Sequence, residues 1–157
     1  MNTGSVEINP MVEKDLPFVN ETRNIESTRR WLENDSIISL EDTVKWFREK
    51  KPHWYIISSN FVNVGYLRTS DDTGKSICIG CDIHPDFRRR GYATKAYRLL
   101  IGALIEKGYV NIWLDVFKEN TPALNLYKNL GFIPIGDRIV RSKVYTTMVY
   151  MRSTSSE

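Results

Sequence analysis

Long apolar runs are missing from this chain: none approaches the ~20 residues that a bilayer span requires. Its start, Met1-Asn2-Thr3-Gly4-Ser5-Val6-Glu7, has neither the basic opening nor the apolar stretch of a secretion signal. A cytoplasmic setting with no membrane partner is the expectation. Cysteine is scarce, with two residues, and histidine is limited to His53 and His84. That set is too small for a disulfide framework and leaves no metal-ligand group. Cys78-Ile79-Gly80-Cys81 does carry CxxC spacing, but redox and zinc pairs sit at turns or helix starts, and 76–83 reads as a strand. Residues three apart on a strand face opposite sides, so both cysteines read as small buried residues. Charge of one sign is also weak. The net charge is +3 and the pI about 8.8, enough for an anionic ligand but short of the footprint of a dedicated nucleic-acid binder.

What is present is an ordinary globular composition, 41% hydrophobic and 26% charged over 157 residues. A chain of that length buries roughly 70% of its unfolded surface and needs no staples. With no repeat, low-complexity stretch or linker, one domain over 1–151 is expected, followed by a frayed tail at 152–157.

The apolar periodicity changes along the chain. A short strand is expected at 6–9, a helix beginning at 11–20, and a helical face around 25–33 carrying Ile25, Thr28 and Leu32. Ser39 with Asp42 three positions on is a variant capping box. It opens a helix with Leu40, Val44 and Phe47 on one stripe. Strands follow at 54–58, 61–69 and 76–83 as an antiparallel meander, the first two joined at Ser59-Asn60. A helix over 94–107 has an inward stripe of Ala96, Leu99, Leu100, Ala103 and Leu104, and Gly108 ends it. A strand at 110–116 precedes a helix with Thr121 as N-cap and Pro122 at its first position, running to Gly131. Strands at 132–135 and 143–151, with Gly136-Asp137 as their turn, close the chain. The fold class is α+β, a mostly antiparallel sheet crossed by helices.

The densest chemical signal is His84-Pro85-Asp86-Phe87-Arg88-Arg89-Arg90-Gly91-Tyr92-Ala93, between a strand and a helix. Backbone N–H groups in a loop that opens a helix form an anion site, and Gly91 permits close approach of a phosphate. Three arginines at a helix N-terminus are unfavourable by ~0.3–1 kcal/mol each unless a polyanion sits there. The ligand suggested is a pyrophosphate, although neither the nucleotide P-loop nor the dinucleotide glycine pattern occurs. A solvated charge run at a helix start is the bland alternative.

Residues 77–132 resemble the core of the GNAT superfamily of acetyl-CoA-dependent N-acetyltransferases. The family's Arg/Gln-x-x-Gly-x-Gly/Ala loop matches Arg88, Gly91 and Ala93. Its Asn-x-x-Ala-x-x-x-Tyr-x-x-x-Gly-Phe stretch matches Asn120, Ala123, Tyr127, Gly131 and Phe132. The resemblance implies a GNAT-like central sheet whose middle strands splay apart, acetyl-CoA as co-substrate, and no metal. It implies that Ile83 offers backbone groups to the pantetheine arm and that Arg88, Arg89, Arg90, Gly91, Tyr92, Ala93 and Thr94 hold the pyrophosphate. Asn120 would bond the pantetheine or fix the entry of the helix behind it. Tyr127 would be the general acid for the departing thiolate, with an aromatic packing role as its structural alternative; a phenol near pKa ~10 suits that proton transfer. Asp82, Glu26, His53 and water stand as candidates for the base, and His84 reads as structural.

The acceptor is a primary amine, expected between the N-terminal helices and the later strands. The pattern Arg23-Asn24, Trp31, Ser39-Leu40-Glu41, Trp46-Phe47 is similar to enzymes acetylating nucleotide-linked amino sugars, whose diphosphate Arg23, Arg29 or Arg30 would meet. Asp42-Thr43 departs from that subgroup's usual Glu-His. Core packing is the competing role for Trp31, Trp46 and Trp54. A protein N-terminus or another small amine is the alternative acceptor, and a coenzyme-A- or RNA-binding module the non-enzymatic alternative. A homodimer is an assembly open to the family.

Overall fold

The computed structural model describes residues 5–152. The expectations for the first four residues and for 153–157 of the tail lie outside the described residues. Seven strands form one sheet in the order β1-β2-β3-β4-β5-β7-β6. They are β1 (Val6–Pro10), β2 (Tyr55–Ser59), β3 (Val62–Asp71), β4 (Ser76–Ile83), β5 (Asn111–Phe117), β6 (Phe132–Val140) and β7 (Lys143–Tyr150). Every neighbouring pair is antiparallel except β4 and β5. The α+β architecture therefore matches the sequence expectation. Among the described residues no helix is long and apolar enough to cross a membrane.

Helices cover both faces. On one lie α4 (Tyr92–Glu106) and α5 (Thr121–Leu130), and on the other α1 (Leu16–Asn24) and α3 (Leu40–Lys50), with the single-turn α2 (Glu26–Arg29) between them in sequence. The main core forms where α4 sets Ala96, Tyr97, Leu100 and Leu104 on Leu67, Ile79, Leu114 and Met148. Full burial of a side chain such as Leu100 contributes ~1.5–3 kcal/mol over leaving it exposed. Leu99, expected in the inward stripe, is 45% exposed, and Tyr97 and Ile101 take up the buried face. The second core joins Met11, Leu16, Val19, Ile56 and Tyr66, with Trp54 stacked on Tyr66 at 5.7 Å and Trp46 edge-on to Trp54 at 4.7 Å.

Several local expectations shift. The helix expected across 25–33 lasts only four residues, since the 30–39 stretch is held by side chains rather than by a helical ladder. Ser39 caps α3 as expected, its Oγ accepting from the Asp42 N–H at 3.0 Å, but Leu40 is exposed and Thr43 is the residue buried. The β2–β3 turn sits at Asn60-Phe61, both at positive φ, one residue later than the sequence suggests. Asn120, rather than Thr121, caps α5, its Oδ1 accepting from Ala123 N–H, and Pro122 falls one place further in. The sixth strand is longer than expected. β6 runs through Gly136-Asp137 with an irregularity between Pro134 and Gly136, and the chain reverses at Arg141-Ser142, where φ is 51° and 68°. Two successive positive φ angles match the twist of a tight hairpin, but neither residue type announces them.

Candidate active site

The site begins with a failure of two strands to stay together. His84 N–H donates to Val64 O and Asp72 N–H to Ser76 O, so the even-numbered residues of β4 bond to β3. Ile77, Ile79, Cys81 and Ile83 therefore turn their N–H and C=O groups toward β5. The β4–β5 ladder spans only three pairs, Ser76 with Asn111, Ile77 with Ile112 and Cys78 with Trp113. Beyond them the strands part, and the N–H groups of Cys81 and Ile83 face the gap. Arg88 Nε donates to the Ile83 carbonyl at 3.0 Å. Opposite Ile83, β3 presses so close that a Cβ on Gly65 would lie 2.5 Å from the Asp82 carbonyl oxygen.

The β4 strand runs into a single 3-10 turn, Pro85–Phe87, and then the loop that opens α4. His84 fits the structural role expected of it. Its Nδ1 accepts from Asp86 N–H, its Nε2 lies 3.0 Å from a Glu21 carboxylate oxygen, and its ring stacks on Phe18. Arg89 and Gly91 both take left-handed backbone angles, φ 64° and 83°. This folds the loop back so that α4 starts at Tyr92 with its first N–H groups uncapped by any side chain. The three arginines diverge. Arg90 lies over the Phe87 ring at 5.8 Å, and Arg88 points away from the helix start toward α2, with Nη1 on Ser27 Oγ and Nη2 on Thr28 Oγ1, both at 2.8 Å.

From α5, Tyr127 reaches the same region. Its hydroxyl oxygen is 3.1 Å from that of Tyr97 on α4, the rings meeting edge-on at 5.6 Å. Burial pushes the Tyr127 phenol up to about 12, the hydrogen bond with Tyr97 pulling the other way, and burial also raises Tyr97 well above the ordinary phenol value. Cys81 is within electrostatic reach of both hydroxyls. Burial raises the Cys78 thiol to about 11 and holds the Cys81 thiol well above its ordinary range, so both are protonated, non-nucleophilic side chains.

On the opposite face of the gap the walls are polar. Arg68 lies across Gly80, where a Cβ would come within 2.6 Å of its guanidinium carbon, and its Nε is 3.2 Å from Asp82 Oδ2. Asp82 is thus a paired carboxylate on a central strand, only 11% exposed. On β5, Asp115 accepts from Arg138 Nε at 2.7 Å and from Thr147 Oγ1 at 2.6 Å. The stretch after α2 closes over these strands. Trp31 meets Phe117 edge-on at 5.4 Å, Lys143 binds Asp35 at 2.9 Å, and Arg138 reaches Glu33 at 3.5 Å.

The acetyltransferase (GNAT) family profile matches residues 17–132, the segment that builds the parted strands, the α4 loop and Tyr127. The chain belongs to this family. It is 37% identical over 131 residues to the [ribosomal protein bS18]-alanine N-acetyltransferase of Salmonella typhimurium, covering 71% of this chain and 86% of that one. It is 25% identical over 141 residues to the spermidine N(1)-acetyltransferase of Escherichia coli, covering 85% and 75%. Among solved structures, AAC(6')-Ib in complex with ribostamycin and coenzyme A superposes with a TM-score of 0.82 at 21% identity, covering 98% of this chain and 99% of that one.

For a GNAT enzyme, the placement of the sequence candidates is informative. Ile83 lies on the part of β4 beyond the ladder to β5, the 89–94 backbone follows it after one 3-10 turn, and Tyr127 comes within electrostatic reach of Cys81 on the same strand. Asn120 lies at the foot of α5, where its side-chain oxygen serves the helix entry. Arg23 donates to the Ser36 and Asn34 carbonyls and Arg29 to those of Asn24 and Asp35, so these guanidiniums brace the 34–36 turn. His53 lines a separate cleft with Lys51, Tyr55, Asp71 and Tyr109 at the far end of β3, which removes it from the base candidates. Sequence reasoning missed Arg68, Tyr97, Asp115 and Arg138. Tyr97 had a signal, one helical turn from Leu100 and two from Leu104 on the buried stripe; the Asp115–Arg138 pair joins segments whose proximity only the sheet order creates. Among the described residues no group of three His, Cys, Asp or Glu side chains could hold a metal ion.

Proposed function

We propose that this GNAT enzyme moves the acetyl group of acetyl-CoA directly onto a primary amine, with the thioester held in the gap between β4 and β5. The observation that carries the reading is that gap, with unpaired backbone donors on one lip and the Tyr127 hydroxyl at its open end. Acetyl-CoA supplies an activated acetyl thioester. The N–H groups of Cys81 and Ile83 are donors suited to the pantetheine amide and to the thioester carbonyl, where developing negative charge is best stabilised by fixed dipoles. The uncapped amides of 89–94 suit the pyrophosphate, and the left-handed angle at Gly91 keeps side-chain atoms out of its way.

Tyr127 stays neutral across working pH, so it carries a proton at Oη for the departing thiolate. Either hydroxyl of the Tyr97–Tyr127 pair can donate, and in the arrangement where Tyr97 donates the Tyr127 hydrogen is free for the leaving sulfur. Since neither cysteine is a nucleophile, the amine attacks the thioester itself, and much of the acceleration comes from holding both reactants in line, worth ~7–11 kcal/mol. Asp82 is held by Arg68, so water is the immediate proton acceptor that best fits the ammonium.

For the acceptor, the reading favoured here is the N-terminal amine of a protein. It rests on the similarity to the bS18-alanine enzyme and on the commitment of Arg23 and Arg29 to backbone carbonyls, which leaves them poorly disposed for the diphosphate of a nucleotide-linked amino sugar. The test is acetyl-CoA turnover with three acceptors in parallel: an alanine-terminated peptide, spermidine and a UDP-linked amino sugar. A preference for the peptide by tenfold or more in kcat/KM supports the reading. Preference for the sugar nucleotide reverses the acceptor assignment, and no acetyl-CoA binding at all removes the donor assignment.

A further inference from the structure

Arg88 belongs by sequence to the loop that opens α4, yet its side chain leaves that loop. All three of its donor nitrogens are used away from the start of α4: Nε on the Ile83 carbonyl of β4, Nη1 on Ser27 Oγ and Nη2 on Thr28 Oγ1 of α2. Two of these partners lie on α2; Thr28 is only 4% exposed, and both bonds are part-buried. A guanidinium fills this role because its planar fork meets two acceptors in a fixed geometry, which an ammonium cannot.

What hangs on α2 makes the contact matter. A helix of four residues is one turn, and a single turn has no stability of its own. It is held at the sequence ends by its neighbours and in the middle by Arg88. Directly after it come Trp31, against Phe117, and then Glu33 and Asp35, which meet Arg138 and Lys143 on the last hairpin. Arg88 therefore joins the two halves of the site, from the donor loop at its backbone to the wall over the acceptor side at its guanidinium.

We propose that Arg88 is a positioning residue that makes the acceptor wall depend on donor occupancy: a pyrophosphate seated on the 89–94 amides fixes the loop, the loop fixes the Arg88 guanidinium, and the guanidinium fixes α2 through Ser27 and Thr28. The proposal rests on the donor site assigned above. Its consequence is ordered assembly, in which the acceptor side is completed only after acetyl-CoA is in place. Linkage makes the coupling reciprocal, so an occupied acceptor side also tightens donor binding.

The test is amide hydrogen exchange of the full chain, with and without saturating acetyl-CoA, followed over residues 26–32. It is run on the wild type, on a Ser27→Ala/Thr28→Val double variant that leaves the donor loop untouched, and on Arg88→Gln, with saturation checked by calorimetry. Acetyl-CoA is expected to slow exchange over 26–32 by fivefold or more in the wild type and by less than twofold in both variants. A purely structural contact would instead speed exchange equally with and without ligand and leave the ligand-induced slowing intact, which overturns the proposal. It is also overturned if the wild type binds acetyl-CoA without protecting 26–32, or if only Arg88→Gln loses the effect. Failure of the wild type to bind acetyl-CoA is a separate outcome, which overturns the donor assignment and this inference with it.

Discussion

The two sides of the β4–β5 gap are built from different materials. The side proposed for the donor is made of backbone: N–H groups freed by the parting strands, left-handed angles at Arg89 and Gly91, and an uncapped helix start. The side proposed for the acceptor is made of side chains drawn from several segments, Arg68 with Asp82, Arg138 with Asp115 and Glu33, and Lys143 with Asp35. Backbone donors depend on chain geometry and tolerate many side chains, so a donor site of this kind survives wide sequence change. Side-chain walls change with each substitution, and so can the amine they admit.

Substitutions that strike one side and spare the other sharpen the contrast. Tyr127→Phe keeps the donor cradle but removes the proton, so turnover should fall ~10²–10⁴-fold while acetyl-CoA affinity stays nearly unchanged. Unaltered turnover would return Tyr127 to a packing role. Gly91→Val should do the reverse and weaken acetyl-CoA binding by one to two orders of magnitude, since a β-branched residue at that φ is strained by ~1–3 kcal/mol and would crowd the cradle. Calorimetry reads this directly. Gly65→Ala drives a Cβ into the Asp82 carbonyl and should cost ~1–3 kcal/mol in urea unfolding, with the strain falling at the lip of the gap. Lys143→Met should leave the melting point and donor affinity where they are and raise only the acceptor KM, because its partner Asp35 is a surface carboxylate.

The Tyr127 phenol also sets a pH expectation. Its folded value, about 12, lies above the 10.0 of a free phenol, so burial favours the neutral form. The stability this contributes is complete below the unfolded value and is lost as pH rises toward the folded one. Unfolding measured from pH 9 to 12 should therefore steepen in the wild type relative to Tyr127→Phe, and the rate should show no loss below pH 10 from ionisation of this group.

The same contrast explains what could be read in advance. Arg88, Gly91, Ala93 and Tyr127 stand in local motifs that a strand, a loop and a helix present in fixed order, so the elements of the proposed donor side were legible along the chain. The cap of α3 by Ser39 and the αL end of α5 at Gly131 were likewise local. What stayed hidden was either tertiary or conformational. No spacing rule connects Arg68 to Asp82 across Gly80, or Asp35 to Lys143 over more than a hundred residues. The last hairpin was misread because Gly136-Asp137 has turn composition but lies within β6, whereas Arg141-Ser142 makes the turn without it. The motif also named Arg88 without revealing the direction of its side chain.

The three-pair seam between β4 and β5 has a mechanical consequence. Every other strand pair in the sheet is joined by at least five residue pairs, so this seam is the line along which the sheet is weakest under tension. A seam joined at one end and open at the other peels one bond at a time instead of shearing all its bonds at once. Under load applied across β4 and β5 it should give way before its neighbours, and a molecule lodged in the open end and bonded to both lips would act as a rivet.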